Sequence, residues 1–493
     1  MATVWRAPSL PFQELNWDEA LYRLMADSLV AGHLPGEVIW DRKPAGLFAL
    51  LALLRGLAGG SAIGLRIAVG LAVGAGGWFL AAITGRLVPE RRSAGALAGL
   101  LWIVHSRLNG GDGVNAELLF VPLNLAGGWV LLTARGRAGL AAAGLLLGCA
   151  FETKYDAAFA WPALVLLWWH LRPDCRTWRN LVSLAVGAAL PAVLAPVIYA
   201  LAGHFDLWMV ENLAAAAAAL SDTVERGDFA GIAFHLVPYA VPLIGTTLAL
   251  AGGRWVIGPG WRAFIAVVAV WLAGEALDLT VLRRFADHMF IPLLPPLCLA
   301  AGVGFDGLAA RLPARWRTAA LGLALLGWAA AEGRAMARPF LAAAEISAHR
   351  HNGDVAWGDP VATAGLWLRH RLQPGEAVFV FGGGMLAIYE VAGRSPPTRF
   401  PFVEHLWKDD APVDGVAEMT RILAGAPAYI AVAAGWAPGE PPPEPPAQKV
   451  FAALDTALAR DYRLEVTIAP YVSTGGGPIG PRTAILLFRR VAR

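Results

Sequence analysis

The chain has 493 residues, of which 57% are hydrophobic and only 16% are charged, whereas soluble domains carry about 25% charged residues. Together with a mean hydropathy of +0.53, this composition excludes intrinsic disorder, a coiled coil and a collagen-like chain, and it predicts a polytopic α-helical membrane protein. The formal net charge of +3 is too small to indicate a nucleic-acid partner.

The first 61 residues contain no apolar run of spanning length. Residues 1–17 also lack the apolar core of a signal peptide. Residues 44–58 are apolar, but Arg55 interrupts them and the next apolar run begins a few residues later. We therefore predict an external loop over residues 1–61, in which residues 44–58 form an interfacial helix with Pro44 in its first turn.

Ten apolar runs follow before residue 335. Seven have the roughly 17–25 residues that a helix needs to cross a bilayer, at residues 62–86, 115–134, 180–202, 231–252, 263–282, 286–308 and 318–334. Three shorter runs suit buried or tilted helices, at residues 93–108, 138–153 and 156–171. The pattern predicts a transmembrane bundle of about ten spans over residues 62–335.

The loops between these runs divide into two kinds. Alternate loops are rich in arginine, at residues 86–92, 135–137, 172–179, 254–262 and 311–317. The positive-inside rule places these loops in the cytoplasm. The intervening loops, at residues 1–61, 107–114, 153–156, 203–230 and 283–286, then lie outside together with the C-terminal tail. A span must usually carry such a first loop across the membrane, so the sequence predicts that the natural chain begins upstream with about 20 further apolar residues.

The external loops hold most of the unusual charges, which are Asp18, Glu19, Lys43, Asp112, Glu117, Lys154, Asp156, Arg283, Arg284 and His288. Charged groups at the membrane edge are costly unless they are paired, hydrated or used. We therefore predict one extracytoplasmic active site to which several loops contribute. The alternative is a set of scattered, solvated loop ends.

The composition changes after residue 335, where Pro-rich sequence of mixed character begins. Helical patterns cover residues 361–372, 385–393 and 447–460, and strand patterns cover residues 376–382, 428–434, 462–470 and 483–490. Alternating helices and strands predict a soluble extracytoplasmic α/β domain over residues 336–493.

Several segments resemble a known family in their order along the chain. The external loop contains WDEALYRLMADSLVAGHLP (17–35) and WDRKPAGLFALLALL (40–54). It is followed by NAELLFVPLNLAG (115–127), GLLLGCAFETKYDAAFAWPAL (144–164), RRFADHMFIPLLPPLCLAAG (283–302) and the tail segment 361–400. This ordered set resembles the GT-C membrane glycosyltransferases, in particular the bacterial branch of the protein O-mannosyltransferase and lipid A aminoarabinose transferase superfamily.

The resemblance implies a fold, an activity and a location. The implied fold is a GT-C type helical bundle. The implied activity is transfer of a sugar, with inversion, from a polyprenyl-phosphate-linked donor to a lipid, glycan or protein acceptor. The implied location is the outer face of the bacterial inner membrane. In the family an acidic residue in a D-E motif acts as the base, which matches Asp18 or Glu19, and a second acidic site matches Asp112 or Glu117.

The same resemblance implies which residues bind the donor phosphate. Lys43, in the Lys-Pro pair of the first loop, and Lys154, after the fourth apolar run, match positions near that phosphate. Arg284 and His288 match the basic or aromatic positions that precede the family's Pro-Pro helix. We therefore predict that these four side chains bind the donor phosphate.

These residue types suit the chemistry. A lipid phosphate gains negative charge as the glycosidic bond breaks, and Lys or Arg in a water-poor site stabilises that charge. The acceptor hydroxyl needs a carboxylate to take its proton, for which we predict Asp18, Glu19 and Glu117. Alternatively, Asp18, Asp112 and Glu117 could hold a divalent cation such as Mg²⁺ or Mn²⁺.

Two other function classes compete with a transferase. A transporter or flippase of a lipid-linked sugar typically has internal repeats and charges near the bilayer midplane, and we find neither pattern in the sequence. An interaction protein that binds through its tail would leave the carboxylates and lysines of the external loops without a role. We therefore predict a glycosyltransferase.

Overall fold

The computed structural model describes residues 1–91, 93–214, 230–258, 260–282, 285–313, 359–408, 411–438, 445–469 and 484–491, with single residues between 315 and 344 and at 440 and 442. Helices dominate the part that precedes residue 314. They are α1 (Ala2–Trp5), α2 (Trp17–Val30), α3 (Ala45–Leu57), α4 (Ala62–Leu87), α5 (Ala94–His105), α6 (Glu117–Thr133), α7 (Gly136–Thr153), α8 (Trp161–Leu171), α9 (Trp178–Leu201), α10 (Phe205–Met209), α11 (Ala230–Leu236), α12 (Ala240–Ile257), α13 (Trp261–Leu282) and α14 (Leu294–Ala309).

Five helices of the described chain are long and apolar enough to cross a membrane, at Ala62–Leu87, Trp178–Leu201, Gly231–Ile257, Trp261–Thr280 and Asp287–Ala309. The last of these ranges begins with a 3₁₀ turn, Asp287–Leu293, that leads into α14. The helices α5, α6 and α8 are shorter, and much of the predicted run 318–334 lies outside the described residues. The multi-pass helical character is confirmed, whereas the number of ten spans stays a prediction.

Small residues allow the helices of the bundle to approach closely. A Cβ atom at Gly144 of α7 would overlap the carbonyl oxygen of Leu184 in α9, and a Cβ atom at Gly187 would overlap the carbonyl oxygen of Ala141. Helix pairs in membranes depend on such small side chains because lipid is as apolar as the helices themselves.

The C-terminal unit, which is the described part of residues 359–491, is built around a four-stranded sheet. Its elements are α15 (Pro360–Arg369), β1 (Val378–Phe381), α16 (Ala387–Ala392), α17 (Gly415–Ala424), β2 (Tyr429–Ala433), α18 (Gln448–Asp461), β3 (Tyr462–Ile468) and β4 (Ile485–Arg490). The strand order is β1-β2-β4-β3, with β1 parallel to β2 and the other pairs antiparallel. Each of the four strands lies within the range that the sequence pattern predicts.

The sheet separates two hydrophobic clusters. Val378 and Val380 face the cluster that continues into the helical bundle, while Phe379 and Phe381 face a second cluster. This alternation follows from the period of two of a β-strand. The second cluster also encloses Trp40 from the N-terminal loop, so the loop and the C-terminal unit share one core.

Polar contacts also join the loop of residues 1–61 to the C-terminal unit. The backbone N of Gln13 donates a hydrogen bond of 2.6 Å to Asp359 Oδ2. The Trp17 ring packs against the Phe402 ring with 5.4 Å between the centroids. These contacts fix the start of α2, which carries the acidic pair singled out from the sequence.

Glu14 is buried at this junction, where its Oε2 accepts a 2.8 Å hydrogen bond from the backbone N of Ala387. The charged groups that face it are Arg23, Glu19 and Asp359. Burial raises the pKa of Glu14 to about 8 and outweighs the opposing effects of the Ala387 N–H group and of Arg23. From pH 4.5 to about 8, the folded chain therefore keeps a proton that the unfolded chain releases, so stability falls as the pH rises through this range.

We expect Glu14→Gln to remove this dependence, because glutamine stays neutral at every pH. Melting temperatures of the detergent-solubilised wild type and variant should be compared from pH 5 to pH 9. The wild type should lose stability relative to the variant as the pH approaches about 8, and the difference should then level off. A difference that stays constant over the whole range would contradict the burial of an ionisable Glu14.

Candidate active site

Two asparagines hold together the loops that carry Asp18 and Glu117. Asn16 caps α2, because its Oδ1 accepts the backbone N–H of Glu19 at 2.9 Å. The Asn16 amide group also donates a 3.2 Å hydrogen bond to Asn115 Oδ1. Each asparagine precedes its carboxylate by two residues, so this bond ties the first turn of α2 to the first turn of α6.

Asp18 is surrounded by cationic side chains. Burial alone would raise the pKa of Asp18, but the basic side chains of Lys43, His288, Arg42 and Lys154 outweigh that effect and hold the pKa below its usual value. The carboxylate is therefore ionised at neutral pH and faces four groups that could also attract an anionic ligand.

Tyr22 lies one helical turn after Asp18 and supports it. The Tyr22 hydroxyl group lies near the Asp18 carboxylate, and burial together with that carboxylate raises the pKa of Tyr22. The phenol consequently keeps its proton beside Asp18. Lys43 Nζ lies 5.6 Å from the centroid of the Tyr22 ring and 3.9 Å from Asp41 Oδ2.

Glu117 is buried and paired with Lys154. Lys154 Nζ lies 2.7 Å from Glu117 Oε1 and 2.6 Å from Asp156 Oδ2. Burial alone would lower the pKa of Lys154, but Asp156 and Glu117 outweigh it and raise the pKa. His288 Nε2 lies 4.0 Å from Glu117 Oε1.

Lys154 and His288 act electrostatically on both Asp18 and Glu117. The structure thus brings five of the residues predicted from the sequence into one charged cluster: Asp18, Lys43, Glu117, Lys154 and His288. Arg284, the remaining predicted phosphate ligand, lies outside the described residues.

Glu19 lies apart from this cluster. Its side chain is fully buried, and its Oε1 lies 3.1 Å from Arg23 Nη1 and 2.7 Å from Arg66 Nη2. Successive helical residues point about 100° apart, so Asp18 and Glu19 face different surroundings. The catalytic role predicted for Glu19 does not fit this position, because its side chain is 0% exposed and offers no surface to a substrate, whereas Asp18 is partly exposed.

Asp112 forms an ion pair with Arg107. Within the part of the chain that the structure describes, no group of three His, Cys, Asp or Glu residues could hold a metal ion. Asp18 faces cations, and Glu117 is bound by an ammonium group. Asp18, Asp112 and Glu117, the residues predicted to hold a metal, are therefore not arranged to bind a divalent cation.

Four further residues belong to the cluster or hold it in place, and the sequence analysis did not predict them. They are Asn16, Asn115, Tyr22 and Arg42. Asn16 carried a usable signal, since an asparagine immediately before a helical pattern is a typical N-cap. Tyr22 and Asn115 carried none, because an isolated tyrosine or asparagine in an apolar segment gives no indication of its partner.

No protein-family model matches this sequence, and a search of curated proteins found no significant match. Solved structures do match. ArnT from Cupriavidus metallidurans bound to undecaprenyl phosphate superposes with a TM-score of 0.60 at 15% identity, covering 99% of this chain and 96% of ArnT. The same protein in the apo state gives a TM-score of 0.60 at 14% identity, with 98% and 96% covered.

A third structure is the Archaeoglobus fulgidus oligosaccharyltransferase in the apo form, at 11% identity and a TM-score of 0.49. The match covers 98% of this chain and 74% of that one. The agreement with ArnT extends over nearly the whole of both chains. It shows that this chain has the fold of ArnT, which is the fold that the sequence resemblance implies.

Proposed function

We propose that this chain is a glycosyltransferase that moves a sugar, with inversion, from a polyprenyl-phosphate-linked donor to a lipid, glycan or protein acceptor. One observation carries the proposal. An ionised carboxylate, Asp18, shares a cluster with Lys43, Arg42, His288 and Lys154. The pairing of a proton acceptor with an anion-binding group is what transfer from a lipid phosphate requires.

The cations stabilise the leaving group in this proposal. The lipid phosphate gains negative charge as its bond to the sugar breaks, and Lys43, Lys154, Arg284 and His288 are the side chains that we assign to it. Fixed charges in a poorly hydrated site stabilise that charge more strongly than water does. The undecaprenyl phosphate that ArnT holds in its solved structure supports a donor of this chemical class.

Asp18 is the proposed base, since it is ionised and Glu19 is not available. Its low pKa makes it a weak base in the free protein. A bound donor phosphate would offset the charges of Lys43 and His288, and the pKa of Asp18 would then rise. Donor binding would thereby strengthen the base at the moment when the acceptor hydroxyl has to lose its proton.

Lys154 has a second role in this arrangement. Its ammonium group contacts Glu117 and Asp156, which keeps Glu117 in place, and we assign the same group to the donor phosphate. Glu117 then lies near the reacting groups without competing with Asp18 for the acceptor proton.

We further propose the topology that the loop charges predict. Residues 1–61 form an external loop, residues 62–335 form the membrane bundle, and residues 336–493 form an extracytoplasmic α/β domain. The contacts of Gln13 and Trp17 with the C-terminal unit support a common side for the loop and the tail. The active site would accordingly face outward at the bacterial inner membrane.

Purified full-length protein in lipid nanodiscs should be incubated with radiolabelled polyprenyl-phosphate sugars and with lipid, glycan or peptide acceptors. We expect labelled acceptor whose anomeric configuration is opposite to that of the donor. A parallel assay in sealed vesicles tests the transporter alternative. Movement of an intact lipid-linked sugar across the bilayer without bond cleavage would overturn the proposal.

A further inference from the structure

An ion-pair network joins the C-terminal unit to the helix that carries Asp18. It contains three arginines and three carboxylates, so that its formal charges cancel. The members of this network are Arg23, Arg55, Arg66, Glu19, Asp27 and Glu390.

Within this network Glu390 is the member that comes from the C-terminal unit, where it lies on α16. Its Oε2 accepts a 2.9 Å hydrogen bond from Arg23 Nε, and its Oε1 accepts a 2.8 Å bond from Arg55 Nη2. One carboxylate therefore holds two arginines that belong to two different helices, α2 and α3.

The two arginines meet at one carboxylate but belong to different segments of the loop that carries the proposed site. Arg23 follows Asp18 by five residues on α2, while Arg55 lies on α3, the helix that begins just after Lys43. Arg55 also pairs directly with Asp27 of α2, and the bridge through Glu390 reinforces this contact from outside the site. A tilt of α3 against α2 would change the separation of Asp18 from Lys43.

The burial of its arginines makes the bridge effective, although the Glu390 side chain itself is 26% exposed. The Arg23 and Glu19 side chains are 0% exposed, and the Arg55 side chain is 9% exposed. Without Glu390, Arg23 would keep Glu19 and Arg55 would keep Asp27, but three arginines would then face two carboxylates. The penalty of one uncompensated charge among buried arginines favours a rearrangement of the helices that carry them.

We propose that Glu390 is a positioning residue, which holds Asp18 in register with Lys43 by bridging Arg23 and Arg55. The inference rests on the proposed function, since it assigns Asp18 the role of base. Glu390 itself does not contact the substrate. Its effect should therefore appear in the turnover rate, because displacements of about 1 Å at a reacting centre can cost on the order of 100-fold in rate.

The test compares three variants in the full chain. Glu390→Gln removes the charge, Glu390→Asp keeps it on a shorter side chain, and Glu418→Gln is the matched control. Glu418 pairs with Arg421 and Thr398 inside the C-terminal unit and does not contact α2. We expect Glu390→Gln to lower kcat by about 10- to 100-fold with little change in the affinity for undecaprenyl phosphate. Glu390→Asp should restore part of that loss, and the control should behave as the wild type does.

Hydrogen–deuterium exchange over residues 17–30 supplies a readout that does not depend on activity. Exchange in α2 should rise in Glu390→Gln and remain unchanged in Glu418→Gln. If the wild type is active and Glu390→Gln matches it in both kcat and exchange, the positioning role is wrong while the proposed function stands. If the wild type transfers no sugar but exchange rises as expected, the proposed function fails and the bridge is retained as a structural device for α2.

Discussion

Asp18→Asn is expected to lower the rate of sugar transfer by about 10²- to 10⁴-fold, the usual contribution of a general base. Asparagine keeps the shape of the side chain but cannot take the proton of the acceptor hydroxyl. The affinity for undecaprenyl phosphate should stay the same or increase, because a negative charge next to Lys43 and His288 has been removed. Turnover is measured with labelled donor, and affinity by titration of undecaprenyl phosphate into the purified protein.

Two controls separate this effect from a loss of structure. Asp414→Asn changes the same residue type at the N-cap of α17, where asparagine caps equally well, and it should leave turnover unchanged. Glu19→Gln should lower the melting temperature, since Arg23 and Arg66 lose their shared carboxylate. If Asp18→Asn retained more than about a tenth of the wild-type rate, Asp18 would not be the base.

Lys43→Ala is expected to weaken the binding of undecaprenyl phosphate by about 10- to 150-fold. This range corresponds to the roughly 1.5–3 kcal/mol of a hydrogen bond to a charged group. Lys43 is also the first of the cations that depress the pKa of Asp18, so its removal should raise that pKa. The acid limb of the pH profile of kcat/KM should then move to higher pH.

The exposed Lys449 supplies the matched control, because it lies in the C-terminal unit on α18. Lys449→Ala should leave both the affinity and the pH profile unchanged. An unchanged affinity in Lys43→Ala would remove this residue from the phosphate site. A weaker affinity with an unmoved pH profile would place Lys43 on the phosphate but deny its coupling to Asp18.

Much of the fold could be predicted because its signals are local. Apolar runs, caps and alternating patterns place most of the helices, and the four strands begin and end within two residues of their predicted limits. The number of spans was harder to predict. Helices such as α5, with 12 residues, and α8, with 11, are shorter than a bilayer requires, and only their packing decides how they lie.

The side-chain contacts of the candidate site could not be predicted from the sequence. Loop charges placed Asp18 and Glu117 on one side of the membrane, but they could not show that Lys154 and His288 act on both carboxylates. Asp112 satisfied the same loop argument and nevertheless pairs with Arg107. The loop that carries a residue predicts its side of the membrane but does not determine which side chains the residue contacts.

The sequence by itself determined the class of this protein, because hydropathy, loop charge and strand period are properties of neighbouring residues. Tertiary structure alone decided which of two adjacent acids joins the cluster of Lys43, Lys154 and His288. Asp18 and Glu19 are equivalent in the sequence, yet the turn of α2 directs one toward Lys43 and the other toward Arg66. It also decided the bridge from Arg23 to Glu390, 367 residues apart, since a contact over that separation exists only once the loop and the C-terminal unit have packed together.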